Sequence, residues 1–362
     1  MYITFFQQNL PNYNTLFNNN YLLNTYAKNT KIITETDLTP EQTNHIASVE
    51  CAITQIHNRL NPFKNKPVEE LFYEFKIPKH SGGLRTINAP YTDFKLALTD
   101  AKEIFERDIK CLAHNAAYAY TKNRCTLDAI QVHQKNQSNW FLKIDLKDFF
   151  PSCTPELIFN QLLKIYPFAC IHQNAKNQLK EIIEICCLNN GLPQGTPMSP
   201  ILTNLIMVPY DYQLQQLLTR GTGEHYVYTR YADDILISSK NQFNWQELTN
   251  QIKEILQPFN INTAKIRYGN KAGRNWNLGL MLNKDNNITL GFKEKKLLNA
   301  MLNNFLKDFK NNNPWSIEDT QHLQGKLSYL NQIEPTYWAH LINKYNLKYN
   351  TSYTTALKTI LS

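Results

Sequence analysis

A chain of 362 residues with 42% hydrophobic and 19% charged residues has material for a sizeable core and length for two or three domains or subdomains, which excludes wholesale disorder. Its 11 glycines exclude a collagen-like or glycine-linker protein. The 38 Lys+Arg against 30 Asp+Glu leave +8, a moderate basic excess that permits a polyanionic partner without demanding one.

No run approaches the roughly 18–20 apolar residues of a membrane span, and the N-terminus lacks the basic-then-apolar order of a secretory signal. A cytoplasmic protein with no membrane partner is therefore expected. The seven cysteines (Cys51, Cys111, Cys125, Cys153, Cys170, Cys186 and Cys187) form no CxxC pair and are odd in number. They predict buried free thiols in a reducing compartment rather than disulfides or a zinc site.

Residues 1–35 are rich in Asn, Tyr, Leu and Phe and nearly uncharged, and read as a docking arm or a flexible leader. Thr39-Pro40-Glu41 marks a helix start, with Thr39 as N-cap and Pro40 in the first position; Ile46, Val49, Ile53 and Ile56 follow at helical spacing up to Leu60. Residues 71–90 read as two strands around Ser81-Gly82-Gly83. Residues 92–113 predict a second long helix, 139–146 a strand ending in acidic residues, and 155–187 a helical stretch. Residues 224–238 predict strand, tight Asp-Asp turn, strand; 246–257 a helix; 275–292 a strand pair; and 293 onward helices. The chain shows no internal repeat, and its scattered asparagines read as coding bias.

The chemistry begins at Tyr231-Ala232-Asp233-Asp234, flanked by apolar strand residues. Adjacent carboxylates on a tight turn raise each other's pKa unless a cation is present. Magnesium is a hard ion that takes carboxylate oxygens, and phosphoryl transfer uses two such ions about 3.5–4 Å apart. A third carboxylate is needed to bridge them, and Asp145, at the end of a separate predicted strand, is the candidate. Taken alone, an Asp-Asp pair is more often a solvated turn and a strand-end Asp a cap.

A set of motifs in order lifts these residues above that ordinary reading. Phe141–Ser152 (FLKIDLKDFFPS) resembles the first palm motif of bacterial reverse transcriptases, Gly191–Asn204 (GLPQGTPMSPILTN) the second, and Arg230–Leu236 (RYADDIL) the Tyr-x-Asp-Asp motif. Asn262-Thr263-Ala264-Lys265 and Asn277–Asn283 resemble the next two, and Phe75–Pro90 (FKIPKHSGGLRTINAP) is similar to the fingers hairpin. The resemblance covers roughly residues 70–335; any one motif is weak, and six in order are specific. Its nearest branches are retron-like, group II intron-like and phage-defence-associated reverse transcriptases.

The resemblance implies an α+β right-hand polymerase fold. Residues 1–70 would form an N-terminal helical arm and the start of the fingers, 71–138 the fingers, 139–292 the palm and 293–362 a helical thumb. It implies that Asp145, Asp233 and Asp234, with the backbone carbonyl of Leu146, hold two Mg2+ ions, manganese being an alternative. It implies further that Lys79 and Arg85 contact the triphosphate, that Phe150 excludes a ribose 2′-hydroxyl, that Gln194 and Gly195 lie against nucleotide and template, and that Lys265 is the general acid for pyrophosphate release. The alternatives are an exposed basic hairpin, an ordinary core aromatic (Phe149 is adjacent), a Pro-Gly loop turn and a surface lysine.

Residues 291–362 hold nine lysines, no arginine and five acidic residues, a balance of +4. Tyr329, Tyr337, Trp338, Tyr345 and Tyr349 alternate there with Lys326, Lys344 and Lys348, which suits a surface tracking a duplex backbone, although many of the aromatics are expected in the core. Leu323–Pro335 resembles a thumb segment of several bacterial members. Retron enzymes carry Asn-Ala-x-x-His and Val-Thr-Gly; Asp128–His133 and Asn277-Leu278-Gly279 match them imperfectly, which points instead to the defence-associated groups. His133 and His114 are expected to be structural.

The function expected is an RNA-directed DNA polymerase copying a dedicated structured non-coding RNA from a DNA/RNA primer duplex with dNTPs, in phage defence, with an effector protein or a second copy as further partners. Two alternatives are protein-primed or untemplated DNA synthesis on the same fold, and a catalytically idle RNA-binding scaffold.

Overall fold

The computed structural model describes residues 38–78, 82–109, 113–219, 225–271, 276 and 279–362. The stretch 1–35 lies outside the described residues. In chain order the main elements are α1 (Pro40–Leu60), β1 (Phe72–Pro78), β2 (Leu84–Pro90), α2 (Thr92–Ile104), α3 (Thr126–Lys135), β3 (Trp140–Lys147), α4 (Pro155–Leu162), α5 (Gln173–Cys186), α6 (Ser199–Thr219), β4 (Val227–Tyr231), β5 (Asp234–Ser239), α7 (Trp245–Ile255), β6 (Asn260–Ile261), β7 (Arg267–Asn270), β8 (Met281–Leu282), β9 (Ile288–Thr289), α8 (Phe292–Lys310), α9 (Ile317–Ile333), α10 (Pro335–Tyr349) and α11 (Tyr353–Leu361).

Local signals place many of these. Thr39 caps α1 with a reciprocal pair, its Oγ1 accepting from Gln42 N–H (3.3 Å) while Gln42 Oε1 accepts from Thr39 N–H (2.6 Å). Ile46, Val49, Ile53, Ile56 and Leu60 form its buried stripe. The β1–β2 hairpin is antiparallel, with Tyr73 opposite Ala89 and Ile77 opposite Arg85, and Gly82 and Gly83 supply the positive φ of its turn.

Four expectations change. The helical stretch 155–187 is two helices, because Pro167 lies between α4 and α5 and cannot donate within a continuous helix. The helix of 92–113 ends at Ile104 and gives way to one π-helical turn, Phe105–Ile109. The strand pair of 275–292 shrinks to the two-residue β8 and β9. Of the cysteines described, Cys153 and Cys186 are buried, Cys125, Cys170 and Cys187 half-buried and Cys51 exposed, so the thiols are free but not uniformly internal. No described helix is long and apolar enough to cross a membrane.

The chain divides into two compact units, and the division cuts through the expected palm segment. The first comprises the residues described up to Arg124, Ile144–Ile235 and Asn244–Ile266. It holds β4, the start of β5, the second half of β3 and β6, with Leu146 opposite Ile261, while α1 packs on α2 and α5, and α4 on α6. Helix α6 is apolar nearly all round, burying Leu202, Leu205, Ile206, Met207, Val208 and Leu214, which suits a helix enclosed by its unit.

The second unit comprises Cys125–Lys143, Leu236–Phe243 and Arg267–Ser362. The first half of β3 pairs with β7, Phe141 opposite Gly269, and Phe141 stacks on Trp276 at 5.2 Å. Leu298, Leu302, Phe305 and Leu306 of α8 meet Leu323, Leu327 and Leu330 of α9 in one core with Leu341 of α10 and Leu357 of α11. Burying each such side chain contributes about 1.5–3 kcal/mol relative to exposure.

Candidate active site

The site is assembled within the first unit, where β4 hands the chain to β5. The tight turn is Ala232-Asp233, since Asp234 already belongs to β5; the predicted Asp-Asp turn is shifted by one residue. Ala232 has φ 56°, a left-handed conformation that a small side chain tolerates at modest strain. Leu146 N–H donates to the Asp233 carbonyl at 3.1 Å, which brings the end of β3 to the turn. Asp145, 7% exposed, is thereby set beside Asp233 and Asp234.

Asp145 is engaged from its other side. Asn262 N–H donates to its carbonyl (2.8 Å) and Asn262 Nδ2 to its Oδ1 (3.2 Å). Lys265 Nζ, on the short 3-10 turn after β6, lies 3.0 Å from the carboxylate. The Asp233 carboxyl is pushed up to about 6, chiefly by burial and then by the carboxylates of Asp234 and Asp145, with Lys265 opposing. Lys265 is paired with Asp145 and opposes the upward shift of Asp233 from a distance.

That donor set fits a hard divalent cation: carboxylate oxygens, with the Asp233 carboxyl raised chiefly by burial and further by its acidic neighbours. Among the described residues no three His, Cys, Asp or Glu side chains are gathered into a ready-made cluster. Asp145 is instead held by Lys265 and Asn262.

The adjoining surface carries the other expected residues. Phe149 is buried against Phe259 at 5.3 Å, whereas Phe150 is half-buried and meets Tyr120 edge-to-face at 6.4 Å. The two rings meet edge-to-face at 5.9 Å but differ in their other neighbours. Leu192 N–H donates to Phe150 O at 3.1 Å, and a Cβ on Gly191 would collide with the Pro151 backbone, so the Gly191–Gly195 loop is pinned beside Phe150. Gly195 has φ +117°, and a Cβ there would stand 2.8 Å from Ile87 Cγ2 and 3.2 Å from Asn88 O. With Asn88 N–H donating to Gln194 O at 2.9 Å, strand β2 lies directly on Gln194-Gly195. Arg85, exposed on β2, and Asp233 both act electrostatically on the Tyr120 phenol, whose pKa is raised mainly by burial. Lys79 lies outside the described residues.

Tyr120 escaped the sequence analysis. It belongs to none of the quoted motifs, and its left-handed backbone (φ 56°) at a half-exposed position is visible only in the fold.

The expected nucleic-acid lysines belong to the second unit and are occupied. Lys326 pairs with Glu294 at 2.7 Å. Lys348 donates to Asn303 Oδ1 at 2.9 Å and lies over the Tyr349 ring; Lys344 approaches Asn299 Oδ1 at 3.5 Å and lies over Tyr345. Tyr345 is buried, and Tyr329, Tyr337, Trp338 and Tyr349 pack against the core. His133 and His114 are internal, hydrogen-bonded to Ser238 and Gln215.

The reverse transcriptase (RNA-dependent DNA polymerase) family matches residues 77–282, and the chain belongs to it. It is a retron-like RNA-directed DNA polymerase with the α+β right-hand fold class of that family, whose members depend on a divalent metal. The chain is 30% identical over 295 residues to the Retron Ec83 reverse transcriptase of Escherichia coli, covering 78% of this chain and 89% of that protein. It is 32% identical over 286 residues to the Retron Ec73 reverse transcriptase of the same organism, covering 75% and 86%. A solved apo telomerase from Candida tropicalis aligns with 14% identity and a TM-score of 0.46 over 77% of this chain and 60% of that one. The lean away from retron enzymes, drawn from two imperfect motifs, is overturned by these relatives: identity spread over most of the chain outweighs two short matches.

Proposed function

We propose that this polymerase copies a structured non-coding RNA into DNA by two-metal nucleotidyl transfer, in phage defence. The observation that carries the catalytic part is the Leu146 N–H to Asp233 carbonyl bond, which sets Asp145 of β3 beside the Asp233-Asp234 turn with Lys265 on its far side. Asp145, Asp233 and Asp234, with the Leu146 carbonyl, would hold two magnesium ions. When bound, these lower the pKa of a primer 3′-hydroxyl and neutralise charge on the reacting phosphate.

The chain's own residues do the rest. Lys265, paired with Asp145 here, would be the general acid whose ammonium protonates the pyrophosphate leaving group. Arg85 of β2, and Lys79 with it, stabilise triphosphate charge. Phe150, backed by Tyr120, crowds the sugar and excludes a 2′-hydroxyl. Gln194 and Gly195 lie against nucleotide and template, the missing side chain of Gly195 letting strand β2 close on the same loop. By this reading residues 71–138 serve as fingers, 139–292 as palm and 293–362 as thumb.

The RNA partner is supported by the +8 charge and by the names of the retron relatives; the defence role rests on the motif resemblance alone. The test is to purify the chain from its host, sequence its bound RNA and add dNTPs with magnesium. One predominant structured RNA and a DNA complementary to part of it are expected. A pool resembling total RNA would remove the dedicated template. Phe150→Val should admit ribonucleotides; unchanged discrimination would return Phe150 to the core. For defence, phage plaque counts on cells carrying the chain should fall, and Asp233→Asn should restore them.

A further inference from the structure

Beneath the carboxylate turn lies a fully buried guanidinium. Arg230, the last residue but one of β4, and Asp211 of α6 are both inaccessible to solvent and paired. Arg230 Nε lies 2.9 Å from Asp211 Oδ1, and Nη2 lies 2.8 Å from Oδ2, a two-pronged bridge. The remaining nitrogen, Nη1, donates to the Ala232 carbonyl at 3.1 Å and to Asn204 Oδ1 at 3.2 Å. Tyr228 Oη donates to Asp211 Oδ1, and Asn204 Nδ2 donates to Ala119 O at 2.8 Å. The Arg230 backbone is tied as well: its N–H donates to Ala116 O, and its carbonyl accepts from Tyr118 N–H at 2.8 Å.

A charge is expensive to bury, and a charge pair is rarely the most stable filling for a core. What this pair supplies is direction. Asp211 holds Nε and Nη2 along one edge of the planar fork, so Nη1 is aimed at the carbonyls of Ala232 and of the Asn204 side chain. Ala232 is the left-handed residue whose conformation sets where Asp233 leaves the turn. We propose that Arg230 is a positioning residue for the polymerase reaction: held by Asp211, it fixes the Ala232 carbonyl and so the placement of the Asp233 carboxylate, while through Asn204 it holds the 116–119 segment that carries Tyr120 to the same site. A lysine keeps the charge but has no fork, and cannot grip Asp211, Asn204 and Ala232 together.

The test uses the full chain on a defined RNA template with a DNA primer, comparing Arg230→Lys and Asp211→Asn with the parent. The parent's own activity is the control: an inactive parent strikes at the polymerase assignment rather than at Arg230. Folding is followed by circular dichroism and thermal melting, and rates are referred to folded protein. Both variants should lose at least tenfold in kcat with the dNTP KM within about twofold of the parent, and should need several-fold more magnesium for half-maximal rate. Tyr228→Phe removes one hydrogen bond to Asp211 without touching the Ala232 link; it should lower the melting temperature and leave kcat and the magnesium requirement unchanged. Folded Arg230→Lys or Asp211→Asn with parental kcat and magnesium dependence would overturn the proposal. So would a Tyr228→Phe variant that loses kcat as they do, since that marks general loosening of the core.

Discussion

At the β4–β5 turn Asp145 is paired with Lys265, while burial, and then Asp234 and Asp145, hold Asp233 up to about 6. In the second unit the lysines that can be followed have partners: Lys295 and Lys326 end on Glu334 and Glu294, and Lys348 on Asn303. The difference teaches where to look for chemistry. A carboxyl group displaced from its ordinary pKa by burial and neighbouring acids marks a candidate for chemistry; a lysine already matched to an acid or amide serves the fold first.

The largest effect that would break the comparison is at Asp233. Asp233→Asn removes a charge that burial disfavours, so the melting temperature should hold or rise while polymerisation falls at least about a thousandfold, equivalent to ~4 kcal/mol of transition-state stabilisation. Thermal melting beside primer extension reads both; a drop in stability matching the loss of activity would make Asp233 a structural residue.

The next effect is at Gly195. Gly195→Ala places a Cβ 2.8 Å from Ile87 Cγ2 at φ +117°, so β2 and the 194–195 loop cannot keep their contact. The dNTP KM should rise by roughly tenfold, about 1.4 kcal/mol of lost binding, with kcat changed less. An unchanged KM would separate the hairpin from nucleotide binding.

In the second unit the test is pH. Burial depresses the His133 pKa from 6.5 to about 3, and its Nδ1 lies 2.6 Å from Ser238 Oγ. The unfolded chain takes up a proton below pH 6.5 that the folded chain refuses until about pH 3. Stability is therefore intact above 6.5 and falls by about 1.4 kcal/mol per pH unit below it. Denaturant titrations at pH 7, 6 and 5 measure the slope, and His133→Gln should flatten it; an equal slope in the variant would assign the acid sensitivity elsewhere.

The smallest effect sharpens the basic side. Lys344→Gln with Lys348→Gln should alter stability by less than about 1 kcal/mol, because both ammonium groups are exposed. If they also reach phosphate, the salt dependence of RNA affinity should flatten by roughly one to two units. An unchanged slope would confine these lysines to the α8–α10 seam.

How much was legible follows from the range of each signal. The carboxylate turn, the capped α1 and the Gly82-Gly83 hairpin rest on residues a few positions apart, and all were visible. The partners of the lysines lie 32 and 45 residues away, and no periodicity announces them. Arg230 was part of a recognised motif, yet its burial depends on Asp211 of α6, a helix without the polar face that would have revealed it. Phe149 and Phe150 are indistinguishable as letters; the short turn they share sends one inward and leaves the other beside Tyr120. The retron affinity lies in similarity spread along the chain, which the two short stretches Asp128–His133 and Asn277-Leu278-Gly279 do not carry.

The most direct test of the central claim is incorporation of labelled dNTP on a defined RNA template with a DNA primer and magnesium, by the parent and by Asp145→Asn, each melted in the same buffer. Asp145 is the carboxylate that the β3–turn bond delivers to the site and that Lys265 holds. The expected result is full extension by the parent, none by Asp145→Asn, and closely similar melting. Extension by a folded Asp145→Asn at a rate within tenfold of the parent would contradict the account.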